Sequence, residues 1–126
     1  MTKISSVVGV DPGFSGAIGI IGEGGLVAVH DMPVLGEGAQ KFVDGYALRE
    51  LLLAANPRRI VIEQVSARPG QGVSTMFRFG AAYGAVVAIA TSIGCPVAFV
   101  TPVKWKRKMG LANSSKEASR ALAIRT

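Results

Sequence analysis

The sequence predicts a single α/β domain with a mixed central sheet, in which an antiparallel three-stranded meander is joined by parallel strands and flanked by helices. The chain has 126 residues and 49% of them are hydrophobic, which is enough for one hydrophobic core. Three apolar runs of strand length follow one another at the start, separated by short glycine-bearing turns. Further along, such runs alternate with helical patterns, an order that favours parallel strands.

The meander consists of three predicted strands, at residues 4–10, 15–21 and 26–32. Asp11-Pro12-Gly13 forms the first turn, and Gly22-Glu23-Gly24-Gly25 forms a hairpin in which glycines can adopt positive φ. Residues 33–41 are expected to form a loop.

Helices and strands alternate after this loop. Asp44 is expected to cap the first helix, and Asn56-Pro57 to end it. The predicted elements are a helix at 45–55, a strand at 59–63, a long helix at 73–93 and a strand at 96–100. Residues 81–100 contain no charge and have the length of a membrane span, but Gly94 and Cys95-Pro96 favour a buried helix followed by a buried strand. No membrane partner is therefore expected.

Two predicted strands end in a carboxylate. The apolar run 7–10 leads directly to Asp11, and the run 60–62 leads directly to Glu63. Since a helix separates these strands, they are expected to lie parallel in one sheet, with both acids at its carboxyl edge. Adjacent carboxylates repel unless a cation lies between them, and oxygen ligands favour Mg²⁺ or Mn²⁺. Asp11 and Glu63 are therefore predicted metal ligands; the alternative is two unrelated acids, with Asp11 serving only its turn.

Positive charge is concentrated in the second half of the chain. Residues 1–57 carry three basic and six acidic groups, whereas residues 58–126 carry eleven basic and two acidic groups. A basic half is typical of proteins that bind polyanions, although a solvated basic surface has the same composition. The lone Cys95 excludes an internal disulfide and a cysteine-based zinc site, and the start of the chain does not resemble a signal peptide. A cytoplasmic location is expected.

The long helix carries small residues at four-residue intervals: Gly80, Gly84 and Ala88. This spacing predicts a groove that another helix or a partner subunit can approach closely. The flanking Met76 and Phe77 are expected to belong to the core, with an interface as the alternative.

The tail contains four cations and an indole within residues 104–108. Lysine and arginine side chains neutralise phosphates, whereas Trp105 either packs inward or stacks on a base. Ser114-Ser115-Lys116-Glu117 forms a capping box for a last helix that reaches Thr126 without a stop signal.

Taken together, these motifs resemble the RuvC-type Holliday junction resolvases, and in particular their short phage or prophage forms. The resemblance runs in order along nearly the whole chain, and the first two motifs together are fairly specific. The matching stretches are Gly9-Val10-Asp11-Pro12-Gly13, Ile62-Glu63-Gln64-Val65, the glycine-bearing helix, Thr101-Pro102-x-x-Trp105-Lys106 and the capping box. It implies one ribonuclease H-like domain over residues 1–126, a homodimer, and Mg²⁺-dependent cutting of four-way DNA junctions into paired symmetric nicks.

The resemblance also assigns roles to individual residues. Asp11 and Glu63 match the first two metal-binding carboxylates of the family, and Lys104 and Lys116 match basic residues near the scissile phosphate, where they stabilise developing charge. The residues expected to contact the DNA backbone are Arg68, Arg78, Lys106, Arg107 and Lys108.

Two features depart from the family pattern. The remaining acids of the family lie on a further acidic helix that this sequence does not contain, so the domain is expected to lack that helix. Ser66 stands where many relatives carry an aromatic residue, which puts base wedging at this position in doubt. Phe77 and Phe79 are the nearest aromatic alternatives, though core packing is expected for both.

Three functions stay open on these grounds. The first is a metal-dependent junction endonuclease. The second is a non-catalytic junction-binding protein or inactive fragment, since two acids are half of the usual ligand set. The third is a sugar-kinase or actin-like ATPase, which also opens on a strand and Asp-x-Gly; it would need a second glycine-rich phosphate loop and a longer chain.

Overall fold

Seven strands and two α-helices make up the described part of the chain, residues 6–64 and 70–101, in a computed structural model. The strands are β1 (Ser6–Asp11), β2 (Ala17–Gly22), β3 (Gly25–Asp31), β4 (Val34–Leu35), β5 (Phe42–Val43), β6 (Pro57–Glu63) and β7 (Val97–Val100). The helices are α1 (Gly45–Ala55) and α2 (Val73–Thr91), and a 3-10 turn spans Gly38–Gln40.

Five of the strands form one mixed sheet in the order β3-β2-β1-β6-β7. β1, β2 and β3 are the antiparallel meander, whereas β1, β6 and β7 run parallel. The fold class predicted from the sequence is therefore confirmed. The parallel strands follow from the helices between them, because a helix returns the chain to the end of the sheet from which it started.

Local sequence signals set the ends of α1. The Asp44 carboxylate accepts a hydrogen bond from the Ala47 N–H at 3.1 Å, so Asp44 caps the helix as predicted. Asn56 ends α1 in the left-handed region with φ of 51°, a conformation that asparagine tolerates well. β6 begins at Pro57, two residues earlier than expected. Proline is tolerated as the first residue of a strand, because its missing N–H then removes no hydrogen bond from the interior of the sheet.

Both described helices pack on the same face of the sheet. Burial alternates along β1, with Ser6, Val8 and Val10 buried, which is the pattern of a strand covered on one side. The largest fully buried side chains in the core are Val8, Ile18, Leu48, Leu52, Ile60, Ile62 and Val86. Because neighbours along a strand point to opposite faces, Asp11 and Glu63 lie on the face opposite these helices.

A small ribbon replaces the loop expected at residues 33–41. β4 and β5 pair through Val34 with Val43 and Leu35 with Phe42, around the 3-10 turn. Two-residue strands carry no measurable periodicity, so the pattern of the sequence could not predict them. The predicted tail segment and last helix lie outside the described residues.

Candidate active site at the carboxyl edge of the sheet

Asp11 and Glu63 end two neighbouring parallel strands. Val10 pairs with Ile62 in the β1–β6 register, and each acid is the next residue along its strand. Neighbouring strands lie about 4.8 Å apart, so the two Cα atoms are expected at about that separation. Both acids are half-buried, and both also interact with other groups of the protein. The structure thus brings together the two acids that the sequence places at strand ends.

The turn after Asp11 is built around a position that accepts no side chain. The Gly16 N–H donates to the carbonyl O of Gly13 at 2.9 Å, and the Met32 N–H donates to the carbonyl O of Gly16 at 3.1 Å. A Cβ atom at Gly16 would overlap the backbone O of Asp11 and lie 2.8 Å from its carbonyl carbon. Only glycine lets the chain fold back this closely on Asp11.

The first half of α2 packs against this same turn. Phe79 Cε2 lies 3.7 Å from the place where a Cβ atom at Gly13 would stand. The Arg78 Cζ atom lies 5.8 Å from the ring centroid of Phe14, which is within the range of a cation–π contact. Sequence reasoning missed this contact, since nothing local links Phe14 to a residue so distant along the chain.

A third acid lies at the same edge. Asp11 pairs with Ala17, and Ala17 pairs with Asp31, so Asp31 lies on the same face of the sheet as Asp11. It is two strand spacings, or about 10 Å, from Asp11. Sequence reasoning missed Asp31, because the predicted strand at residues 26–32 runs past it, whereas β3 ends at Asp31. Within residues 6–64 and 70–101, however, no three His, Cys, Asp or Glu side chains are close enough to hold one metal ion.

The donor set at this edge fits a hard divalent cation. Asp11 and Glu63 offer only carboxylate oxygens, which are the ligands that Mg²⁺ and Mn²⁺ prefer. The edge is partly open to solvent, as a site that admits water and a phosphate must be. Two acids leave most positions of an octahedral ion for water or substrate, which is common for Mg²⁺.

The predicted helix groove faces outward. Gly80, Gly84 and Ala88 are exposed, whereas α2 packs on the core through residues on its other side: Ala82, Val86 and Ala90. No atom of the described residues lies within 4 Å of a Cβ built at Gly80 or Gly84. The groove is therefore open along the part of the chain that the structure describes.

The outer face of α2 is also unusually apolar. Val73 is 86% exposed and Phe77 is 77% exposed, so the expectation that Phe77 packs in the core is wrong. By length and composition alone α2 could cross a membrane, but core helices of soluble proteins pass the same test. The chain leaves this helix at Thr91 and enters β7 at Val97, so a helix and a strand follow one another over residues 81–100 as predicted. Contrary to the expectation, neither is buried throughout, because only Ala82, Val86 and Ala90 of α2 are buried and Phe99 of β7 is 43% exposed.

Most of the predicted DNA-binding residues lie outside the described residues. They are Arg68, in the segment 65–69, and Lys104, Lys106, Arg107, Lys108 and Lys116, in the segment 102–126. Arg78 is described, and its guanidinium donates from Nη2 to the carbonyl O of Gly38 at 2.9 Å. The roles of all these residues stay predictions.

No protein-family model and no curated protein matches the sequence. Among solved structures, Thermus thermophilus RuvC in complex with a Holliday junction substrate superposes with a TM-score of 0.68 at 19% identity, over 96% of this chain and 88% of that one. A second Thermus thermophilus RuvC structure gives a TM-score of 0.57 at 22% identity, over 89% of this chain and 74% of that one. The chain therefore has the RuvC fold, a ribonuclease H-like mixed sheet with flanking helices, which confirms in its fold the resemblance read from the motifs.

Proposed function

We propose that this protein is a structure-selective endonuclease that resolves four-way (Holliday) DNA junctions by metal-dependent phosphodiester hydrolysis, giving paired symmetric nicks. The observation that carries the proposal is the pair Asp11 and Glu63 at adjacent ends of β1 and β6. A protein of the same fold is seen bound to a Holliday junction. The acid pair supports the chemistry, and the structural match supports the substrate class.

A bound Mg²⁺, or Mn²⁺ in its place, would supply Lewis-acid polarisation of the scissile phosphate and activation of the attacking water. Asp11 and Glu63 are the residues that would hold it. Gly16 keeps the turn tight so that the backbone of Asp11 stays in place beside β6. Lys104 and Lys116 are proposed to stabilise the negative charge that develops on the phosphate.

The strongly basic second half of the chain is proposed to bind the DNA backbone. Junction arms present closely spaced phosphates, and lysine and arginine side chains release their counterions on binding. The backbone contacts are assigned to Arg68, Lys106, Arg107 and Lys108. The predicted cytoplasmic location is part of the same proposal.

We further propose that the protein acts as a homodimer through the groove of Gly80, Gly84 and Ala88. A four-way junction with two-fold symmetry requires two equivalent cuts, and an isologous dimer presents two equivalent sites. The groove is open and exposed, and the exposed Phe77 lies on the same helix. In a symmetric antiparallel contact, a Phe77 ring on one protomer could occupy the space above a glycine of its partner.

The test is to mix the protein with a synthetic four-way junction, with and without Mg²⁺, and to run a native gel for binding and a denaturing gel for cleavage. We expect symmetric nicks that require Mg²⁺. Asp11→Asn should lower the cleavage rate by more than about 100-fold while junction binding is retained. Mutating a residue that only hydrogen-bonds a metal ligand typically costs about 10–100-fold in activity, and loss of the ligand itself should cost more.

Asp44→Asn is the matched control. It makes the same change of charge at the cap of α1, where asparagine caps as well as aspartate does, so its cleavage rate should equal that of the wild type. Tight binding by the wild type without nicks would overturn the nuclease proposal and favour a non-catalytic junction-binding protein. Cleavage that persists in Asp11→Asn would remove Asp11 from the metal site.

A further inference from the structure

Three separate parts of the chain meet at the Arg78 side chain. Arg78 belongs to the first half of α2, its guanidinium lies against the Phe14 ring at 5.8 Å, and its Nη2 donates to Gly38 at 2.9 Å. Phe14 is in the turn that follows Asp11, and Gly38 begins the 3-10 turn between β4 and β5. One side chain thus joins α2, the turn at the candidate active site and the ribbon.

The way in which Arg78 is held differs from that of an arginine that binds phosphate. Its Nε is buried and has no hydrogen-bond partner among the described residues, and part of its donor capacity is used by a backbone carbonyl of the protein. A phosphate-binding arginine instead presents its free fork of N–H groups to solvent.

We infer that Arg78 is a positioning residue, which holds the turn of residues 12–16 against α2 so that Asp11 keeps its place beside Glu63. The inference deepens the proposed function and rests on it. Only Pro12 and Gly13 separate Asp11 from Phe14, so a displacement of the ring is passed along the backbone to the acid. Phe79 lies beside the same turn, since its Cε2 is 3.7 Å from the place where a Cβ atom at Gly13 would stand.

The chemistry of this contact requires a guanidinium. A guanidinium is planar, so it can present its face to an aromatic ring and still donate N–H groups in its plane, and here its Cζ lies 5.8 Å from the Phe14 centroid while Nη2 donates to Gly38 O. A lysine keeps the charge but is a point charge without a planar face. Arg78→Lys therefore separates the positioning role from the role of a phosphate contact, for which lysine is an adequate substitute.

The experiment compares wild type, Arg78→Lys and Arg78→Ala, with Arg49→Lys on the surface of α1 as the control for an arginine-to-lysine change. Three quantities are measured: the affinity for Mn²⁺ alone by calorimetry, the salt dependence of junction binding, and amide hydrogen exchange by NMR. The Gly16 and Met32 amides report on the turn, since both donate the hydrogen bonds that close it. The Leu48 amide in α1 reports on global stability.

We expect both Arg78 variants to bind Mn²⁺ at least about fivefold more weakly and to exchange the Gly16 and Met32 amides at least about tenfold faster. Exchange at Leu48 and the slope of log affinity against log salt should match the wild type, and Arg49→Lys should match it throughout. Single-turnover cleavage at saturating junction should slow in both variants with the junction Kd unchanged.

A phosphate contact gives the opposite pattern. Arg78→Ala would then lower the salt slope by about 1, Arg78→Lys would behave as wild type, and exchange and Mn²⁺ affinity would not move. That result would overturn the inference, as would faster exchange at Leu48 to the same degree as at Gly16. If the wild type neither binds Mn²⁺ nor nicks junctions, the proposed function fails. The hydrogen-exchange result then decides the inference by itself: faster exchange confined to Gly16 and Met32 in the Arg78 variants supports Arg78 as the residue that holds the turn, and unchanged exchange there overturns it.

Discussion

Replacing Gly16 with alanine tests how tightly the turn after Asp11 is built. The added Cβ would overlap the backbone O of Asp11 and would lie 2.8 Å from the Asp11 carbonyl carbon and 2.9 Å from the Gly13 carbonyl O. All three atoms are backbone, so no side chain can rotate away. The turn must open, because Cβ atoms do not approach other heavy atoms within about 3 Å.

The cost can be worked from the hydrogen bonds that opening would break. Gly16 N–H to Gly13 O and Met32 N–H to Gly16 O each contribute about 1 kcal/mol net, and more if a buried partner is left unpaired. We therefore expect the free energy of unfolding to fall by about 2–4 kcal/mol. For a domain of this size that corresponds to a Tm lower by roughly 8–15 °C.

Gly9→Ala is the matched control, because Gly9 lies in β1 and no atom of the described residues is within 4 Å of a Cβ built there. Alanine is favoured over glycine in a strand interior by about 0.5–1 kcal/mol, so this variant should be unchanged or slightly more stable. Urea and thermal unfolding followed by circular dichroism measure both variants. If Gly16→Ala is as stable as Gly9→Ala, the close approach of this turn to Asp11 is wrong.

Two further predictions concern assembly and DNA binding. Gly84→Leu should shift sedimentation toward a lighter species, since a leucine fills the open groove on α2, whereas Gly84→Ala should keep the heavier one; equal profiles for wild type and Gly84→Leu would place the interface elsewhere. The basic second half of the chain predicts that junction affinity falls by at least about 10³ between 50 and 200 mM salt, as for six or more phosphate contacts, and a flat response in a filter-binding titration would exclude that number of contacts.

Much of the fold could be predicted because its signals are local. The Asp44 cap and the stop at Asn56-Pro57 depend on residues close together in the chain. The parallel pairing of β1 with β6 also follows from the sequence, since a helix between two strands leaves few other arrangements. The acid pair was therefore predictable as a pair. The small-residue groove on α2 was also predictable, but only the structure shows that it faces outward rather than toward another helix of the described part of the chain.

The structure differs from the sequence prediction where strands are very short or where contacts join residues far apart in the sequence. The β4–β5 ribbon has two residues in each strand, too few for any periodic pattern. Asp31 reaches the carboxyl edge only because β3 pairs with β2 in a register that places it opposite Ala17. The sequence predicts a strand that runs past Asp31 to residue 32, and the register that brings Asp31 to this edge is a property of two strands together.

By itself, then, the sequence determined the α/β class, the order of the elements and the two acids at the ends of adjacent parallel strands, because periodicity, capping and the handedness of helical connections constrain each of them. Only the tertiary structure decided what surrounds those acids. Arg78 meets Gly38 across 40 residues of sequence and lies over Phe14, and Gly16 folds back on Asp11 more closely than any side chain would permit. Such contacts depend on how the packed elements lie in space, and this arrangement cannot be predicted from a pattern of neighbouring residues.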